Sequence, residues 1–247
     1  MDATIAICIA AALLAGFIQG FSGFGSVLVA LPVLLTALDA RTAVPLVSMV
    51  ALAINIVMTA RLRGHVRKGP MRLLLLSSLP GMAAGAWILD GAPDSLIKGV
   101  LGAVILFVVA HSVTARGPGA PLAKGWTVLA GFTSGGIGLL TGANGPPVIA
   151  WAARQPWARD ELRATLTFYF LVTGLLIVGT QAAKGLVTGE VGGLFGWSVP
   201  ALGAGLWAGF AACGKANERV FRTVVLDLLG FIGLNMVWQA ARAALAA

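Results

Sequence analysis

Two stretches of this chain set glycines among hydroxyl and amide side chains, inside long runs that carry no charge. The first reads Ala15-Gly16-Phe17-Ile18-Gln19-Gly20-Phe21-Ser22-Gly23-Phe24-Gly25-Ser26 and runs on to Pro32. The second reads Ala130-Gly131-Phe132-Thr133-Ser134-Gly135-Gly136-Ile137-Gly138 and ends in Pro147-Val148. Glycine lets a solute approach the backbone and leaves N–H groups pointing inward. The polar groups are Gln19, Ser22 and Ser26 in the first stretch, and Thr133, Ser134, Thr141 and Asn144 in the second. Neither stretch holds a lysine or arginine. An anion held here is held by backbone dipoles, amides and hydroxyls. The candidate binding residues are therefore Gln19, Ser22, Gly23, Gly25 and Ser26, then Gly138, Thr141, Gly142 and Asn144, with Asn55 and Tyr169 from the segments that follow.

The surroundings say where this chemistry sits. Of 247 residues, 58% are hydrophobic and 11% charged, and the mean hydropathy is +0.93. Soluble domains are about 25% charged. Eight apolar segments, at roughly 4–38, 42–60, 71–89, 95–114, 125–153, 164–183, 192–213 and 220–241, approach or exceed the ~20 residues a membrane helix needs. The expectation is an all-α, multi-pass membrane protein. The net charge of +8 reads as basic loops on one membrane face, not as a nucleic-acid surface. The start Met1-Asp2-Ala3-Thr4 lacks a basic region, so the first segment is expected to be kept and not cleaved as a signal peptide. Cys8 and Cys213 read as free buried thiols.

A shift of 115 lays Ala15-Gly16-Phe17 on Ala130-Gly131-Phe132, Gly20 on Gly135, Ser26 on Thr141 and Pro32-Val33 on Pro147-Val148. A shift of 120 lays Pro80 on Pro200, Ala84-Gly85 on Ala204-Gly205 and Trp87 on Trp207. Residues 1–115 thus read as a first repeat, and residues 116–247 as a Gly/Pro hinge loop at 116–121 followed by a second.

Charge placement sets the expected topology. If every segment crosses once, the seventeen Lys and Arg residues divide almost evenly between the two faces. If the two Gly-broken segments enter and return on one side, only Arg41, Lys98, Lys184 and Arg242 remain opposite the other thirteen. That bias makes the richer face cytoplasmic. A straight helix over 4–38 would also reach about 52 Å, too long for the bilayer. Each repeat is then a broken re-entrant or short helix pair plus three full crossings. The two repeats are inverted relative to each other, and both termini lie outside.

Other polar residues read more simply. Asn55, Tyr169, Thr173 and Gln181 suit interhelical hydrogen bonds, with ligand contact the sharper alternative for Asn55 and Tyr169. Gly81, Gly85, Gly203 and Gly205 suit close helix packing. Asp227 is a candidate coupling acid, with an ion pair to Arg219 or Arg222 as its alternative. His111 reads as interfacial, and Asn235 and Gln239 share a helix face. Trp126, Trp151, Trp157, Trp197 and Trp238 read as an interfacial belt. Arg41 and Arg163 follow the two breaks at similar distances, as anion attractors or plain anchors. Ser22 or Ser26 is expected to cap a half-helix running to Leu31, and Asn144 or Gly145 one starting at Pro146. No catalytic set, metal spacing or Walker-type lysine is present, so no enzyme activity and no cofactor are expected.

The Gly-Phe-x-x-Gly-Phe-x-Gly-x-Gly pattern at Gly16–Gly25, its echo at Gly131–Gly145 and the duplicated eight-segment layout resemble the TauE/SafE sulfite exporter family. The resemblance covers essentially the whole chain. It implies a secondary carrier of small sulfur-containing anions (sulfite, sulfoacetate or related organosulfonates) in a bacterial inner membrane. A carrier of another small organic anion such as a carboxylate, an anion channel and a non-transporting scaffold are the alternatives. The bilayer and a second copy of the chain are its candidate partners. The chain departs from the family's glycine runs at Gly25-Ser26-Val27 and Leu139-Leu140-Thr141.

Overall fold

Long uncharged runs satisfy their backbone polar groups internally, which in a membrane leaves the helix as the available open-chain form. The computed structural model describes residues 3–89, 91, 93–114 and 122–213, with residues 230, 233, 234, 237, 238, 241 and 242 besides. Helices follow in the order α1 (Ala3–Ser22), α2 (Ser26–Leu34), α3 (Ala40–Leu62), α4 (Lys68–Leu89), α5 (Asp94–Thr114), α6 (Lys124–Thr141), α7 (Gly145–Ala152), α8 (Arg159–Ala183) and α9 (Gly189–Ala212). Among the described residues there is no strand. Among the described residues five helical spans, Ala3–Ser22, Ala40–His65, Lys68–Leu89, Asp160–Ala183 and Gly189–Ala212, are long and apolar enough to cross a membrane. The hinge at 116–121, Asp227, Asn235, Gln239 and the His111 side chain lie outside the described residues.

Both Gly-rich stretches break where expected. At 1.5 Å per residue, α1 and α6 extend about 30 and 27 Å, whereas α2 and α7 extend only about 13 and 12 Å. Each break thus joins a helix of membrane length to one of half that length. Asp39 caps α3, its Oδ1 accepting from Thr42 N at 2.8 Å. Thr188 caps α9 through Val191 N at 3.3 Å. Pro32, Pro45, Pro80 and Pro200 lie inside helices, as packed membrane helices tolerate.

Two tight helix pairs tie the halves of the chain together, α1 against α9 and α4 against α6. Their contacts are backbone on backbone. A Cβ on Gly16 would meet the Leu202 carbonyl and one on Gly20 the Leu206 carbonyl. In the other pair, Gly131 meets Leu74 and Gly135 meets Ser78 in the same way. From the opposite side, Gly209 abuts the Phe17 carbonyl and Gly81 that of Phe132. Matching members differ by 115 on the α1 and α6 side (131 less 16, 135 less 20). On the α9 and α4 side they differ by 128 (202 less 74, 209 less 81).

The packing register of 128 differs from the 120 shift that lays Pro80 on Pro200. That register follows where a backbone is bare enough for contact, which a match of Pro and Trp positions does not report. In addition, Gly16, Gly20, Gly131 and Gly135 of the Gly-rich stretches are packing residues. Gly81, Gly85 and Gly205 pack closely as expected, but Gly203 faces open space with nothing within 4 Å.

Trp151 departs from the aromatic belt. It is buried in a cluster with Leu74, Val148, Leu166 and Tyr169, edge-on to Trp157 at 5.3 Å between ring centroids. Trp126, Trp197 and Trp238 are exposed. The amphipathic position of Trp151 near a segment end is overridden because the short α7 lies inside the bundle.

Contacts between the ends of helices group the loops. Arg67, between α3 and α4, pairs with Glu161 at the start of α8 at 2.5 Å. Its backbone N–H also donates to Thr165 Oγ1 at 2.9 Å. Arg41 at the start of α3 and Lys184 just past the end of α8 line one shared cavity.

Candidate binding site between the two helix breaks

Gly23 and Gly25 have φ of 93° and 96°, a left-handed backbone that glycine adopts without penalty. This pair turns the chain from α1 into α2. Gly142, at φ 71°, does the same between α6 and α7. Neither serine caps α2; Gly25 occupies the N-cap position and no side chain bonds there. The first N–H groups of α2 (Ser26, Val27 and Leu28) accordingly have no intrahelical acceptor. Asn144 is the N-cap residue of α7 but its side chain does not cap. Pro146 and Pro147 remove two of that helix's first three N–H groups. The second break therefore offers Gly145 N–H and little else from its first turn.

A small cavity of about 30 Å³ lies where the two breaks meet, lined by Gln19, Gly25 and Ser26 of the first and Asn144 and Gly145 of the second, with Asn55 of α3. Ala51, Ile149 and Phe170 add apolar walls. Among the described residues no charged side chain lines it.

Each break is tied to the next long helix by a buried polar chain. In the first, Ser26 Oγ donates to Gln19 Oε1, and Gln19 Nε2 donates to Asn55 Oδ1 at 2.7 Å. With its oxygen engaged, Asn55 keeps Nδ2 as its donor toward the cavity. In the second, Ser134 Oγ donates to the Asn144 carbonyl, and Tyr169 OH donates to Ser134 Oγ at 2.9 Å. Asn144 Nδ2 donates to Thr173 Oγ1 at 2.7 Å. Gln19 and Ser134 occupy matching positions at the 115 shift, so the two chains correspond.

Of the candidates, Gln19, Gly25, Ser26, Asn55 and Asn144 come together. The remaining ones stand behind the cavity. Ser22 Oγ donates to local backbone, at 2.7 Å from Ile18 O and 2.6 Å from Phe24 O. Thr141 Oγ1 donates to Ile137 O and accepts from Ala143 N, which stabilises the second turn. Gly23 packs on the Arg163 side chain and Gly138 on Asn144. Gly142 packs on Ser48 and Val47. Tyr169 is fully buried and reaches the site only through Ser134.

Arg163 is bound to the back of the first break, with Nη2 donating to Gly20 O at 3.2 Å. Sequence reasoning missed Phe170 as a wall residue. One aromatic among many on an apolar helix carries no mark of which face it occupies.

The chain matches the family model described as Sulfite exporter TauE/SafE over residues 8–236. It is also 27% identical, over 184 residues, to "Probable sulfite/organosulfonate exporter TauE" of Cupriavidus necator, covering 71% of each chain. No solved structure matches.

Proposed function

This chain belongs to the sulfite exporter TauE/SafE family, a family of membrane transporters and not of enzymes, and we propose that it carries small sulfur-containing anions by alternating access. One observation carries the reading: the N-termini of two half-length helices, one from each break, line the same cavity, whose described lining holds no charged side chain. Positive helix ends facing a common point stabilise a negative solute. The first turn of α2 supplies three N–H donors and Asn55 Nδ2 a fourth. Proline removes two of those at α7, so the first break holds the anion more strongly than the second.

The cavity is small, about 30 Å³, and alternating access opens it to one face and then the other as one repeat (1–115) moves against the other (116–247). The substrates are sulfite, sulfoacetate or related organosulfonates; the Cupriavidus necator relative is named as a probable exporter of sulfite and organosulfonate. Uptake and release assays in proteoliposomes test this. Saturable flux of sulfite or a sulfonate is expected, and protein that neither binds nor moves any of them overturns the function.

Inverted repeats are supported by the end-to-end contacts. A single crossing by every segment would put Arg67 and Glu161 on opposite faces, and likewise Arg41 and Lys184. Broken segments that return to their own side put each pair together. By charge bias the Arg67 end is cytoplasmic, in a bacterial inner membrane with both termini outside. A cysteine at Gly64, which has nothing within 4 Å, is expected to react with a membrane-impermeant maleimide only after the cells are opened. Labelling in intact cells would reverse the orientation.

A further inference from the structure

We propose that the cavity between the start of α3 and the end of α8 is a second anion site, an outer vestibule that selects sulfonates carrying a hydrogen-bond donor. The proposal rests on the transport reading above. The cavity measures about 170 Å³ and is lined by Arg41, Lys184 and Gln181, with Ala40, Leu140 and Leu186 among its apolar residues. Arg41 is exposed and Lys184 half-buried, whereas Gln181 is fully buried.

The Gln181 amide is oriented by its neighbour. Ser48 Oγ donates to Val44 O at 2.8 Å, so toward Gln181 it accepts, from Nε2 at 3.3 Å. Gln181 Oε1 is left buried without a hydrogen-bond donor. A buried acceptor in that condition is destabilising until something donates to it. The exposed Arg41 cation and the unpaired Gln181 acceptor match a ligand with an anionic head and an O–H or N–H group, such as a hydroxyalkanesulfonate. The nearby Asp39 carboxylate is turned to its own helix end, on Thr42 N.

The vestibule is separate from the central site. Asn55 lies fourteen residues beyond Arg41 along α3, about 21 Å at helical rise. Ser48 stands midway, hydrogen-bonded to Gln181. At the tip of the second break, a Cβ on Gly142 would lie 2.9 Å from Ser48 Oγ. The Ser48–Gln181 bond and the Gly142 turn form the partition an anion must cross to reach the breaks.

The experiment measures KM for 2-hydroxyethanesulfonate and ethanesulfonate in sided membrane vesicles, with each substrate presented from one face at a time. From the Arg41 face, wild type should favour the hydroxyl compound about fivefold, the worth of one hydrogen bond. Gln181→Leu should erase that preference. Arg41→Gln with Lys184→Gln should raise KM for both compounds about tenfold from that face, with the opposite face as the control. Because Arg41 is exposed, Arg41→Gln alone preserves the fold and carries the sidedness test. Equal KM changes from both faces, no change from either, or a preference that survives Gln181→Leu overturns the vestibule. Wild type that moves no sulfur anion from either face overturns the transport function instead.

Discussion

Asn55→Leu should lower sulfur-anion flux roughly tenfold to hundredfold, the worth of one hydrogen bond to a charged group. The leucine removes the Nδ2 donor from the cavity and strands Gln19 Nε2, which bonds Asn55 Oδ1 at 2.7 Å. Asn55→Asp keeps the size and reverses the electrostatics. A carboxylate about 4 Å from a bound anion, at an effective dielectric of ~20, adds about 4 kcal/mol of repulsion. Flux should therefore fall further in Asn55→Asp than in Asn55→Leu. Counterflow in proteoliposomes gives the ordering. A scaffold would show no dependence on either change, and a cation carrier would tolerate the aspartate better.

The second large effect concerns two glycines two positions apart on α9. A Cβ at Gly205 would strike the Leu13 carbonyl of α1, while nothing lies within 4 Å of one at Gly203. Backbone cannot rotate away as a flexible side chain can, so Gly205→Ala forces the helices apart. Overpacking of this kind costs about 1–3 kcal/mol, a fall in Tm of roughly 3–10 °C for a chain of this size. Gly203→Ala should leave Tm unchanged or raise it slightly, since alanine favours a helix by about 1 kcal/mol over glycine. Fluorescence-detected thermal unfolding in detergent compares the two. Equal Tm values for the two variants would mean that α1 and α9 are not in contact at this point.

Much of this arrangement was legible in the chain itself. Uncharged runs of membrane length fixed an all-helical, membrane-spanning design, because backbone polar groups have no water to bond there. The clustering of Gly23, Gly25 and Gly142 with polar residues located both breaks, because a positive φ calls for glycine. Pro146 and Pro147 announced the start of α7, because proline is at home in a helix's first turn.

Folding alone decided which glycine serves which purpose. Gly16 and Gly25 belong to one motif, yet the first abuts α9 and the second lines the cavity. The difference is which element lies opposite, and local sequence holds no record of that. Ser22 and Ser26 are equally plausible donors by type, but only Ser26 points at Gln19 because the left-handed turn at Gly23 and Gly25 reverses the chain between them. The register of 128 between α4 and α9, the burial of Trp151 and the meeting of Arg41 with Lys184 are likewise tertiary facts. Composition specifies that helices form and where they break; contact between distant helices specifies what each break faces.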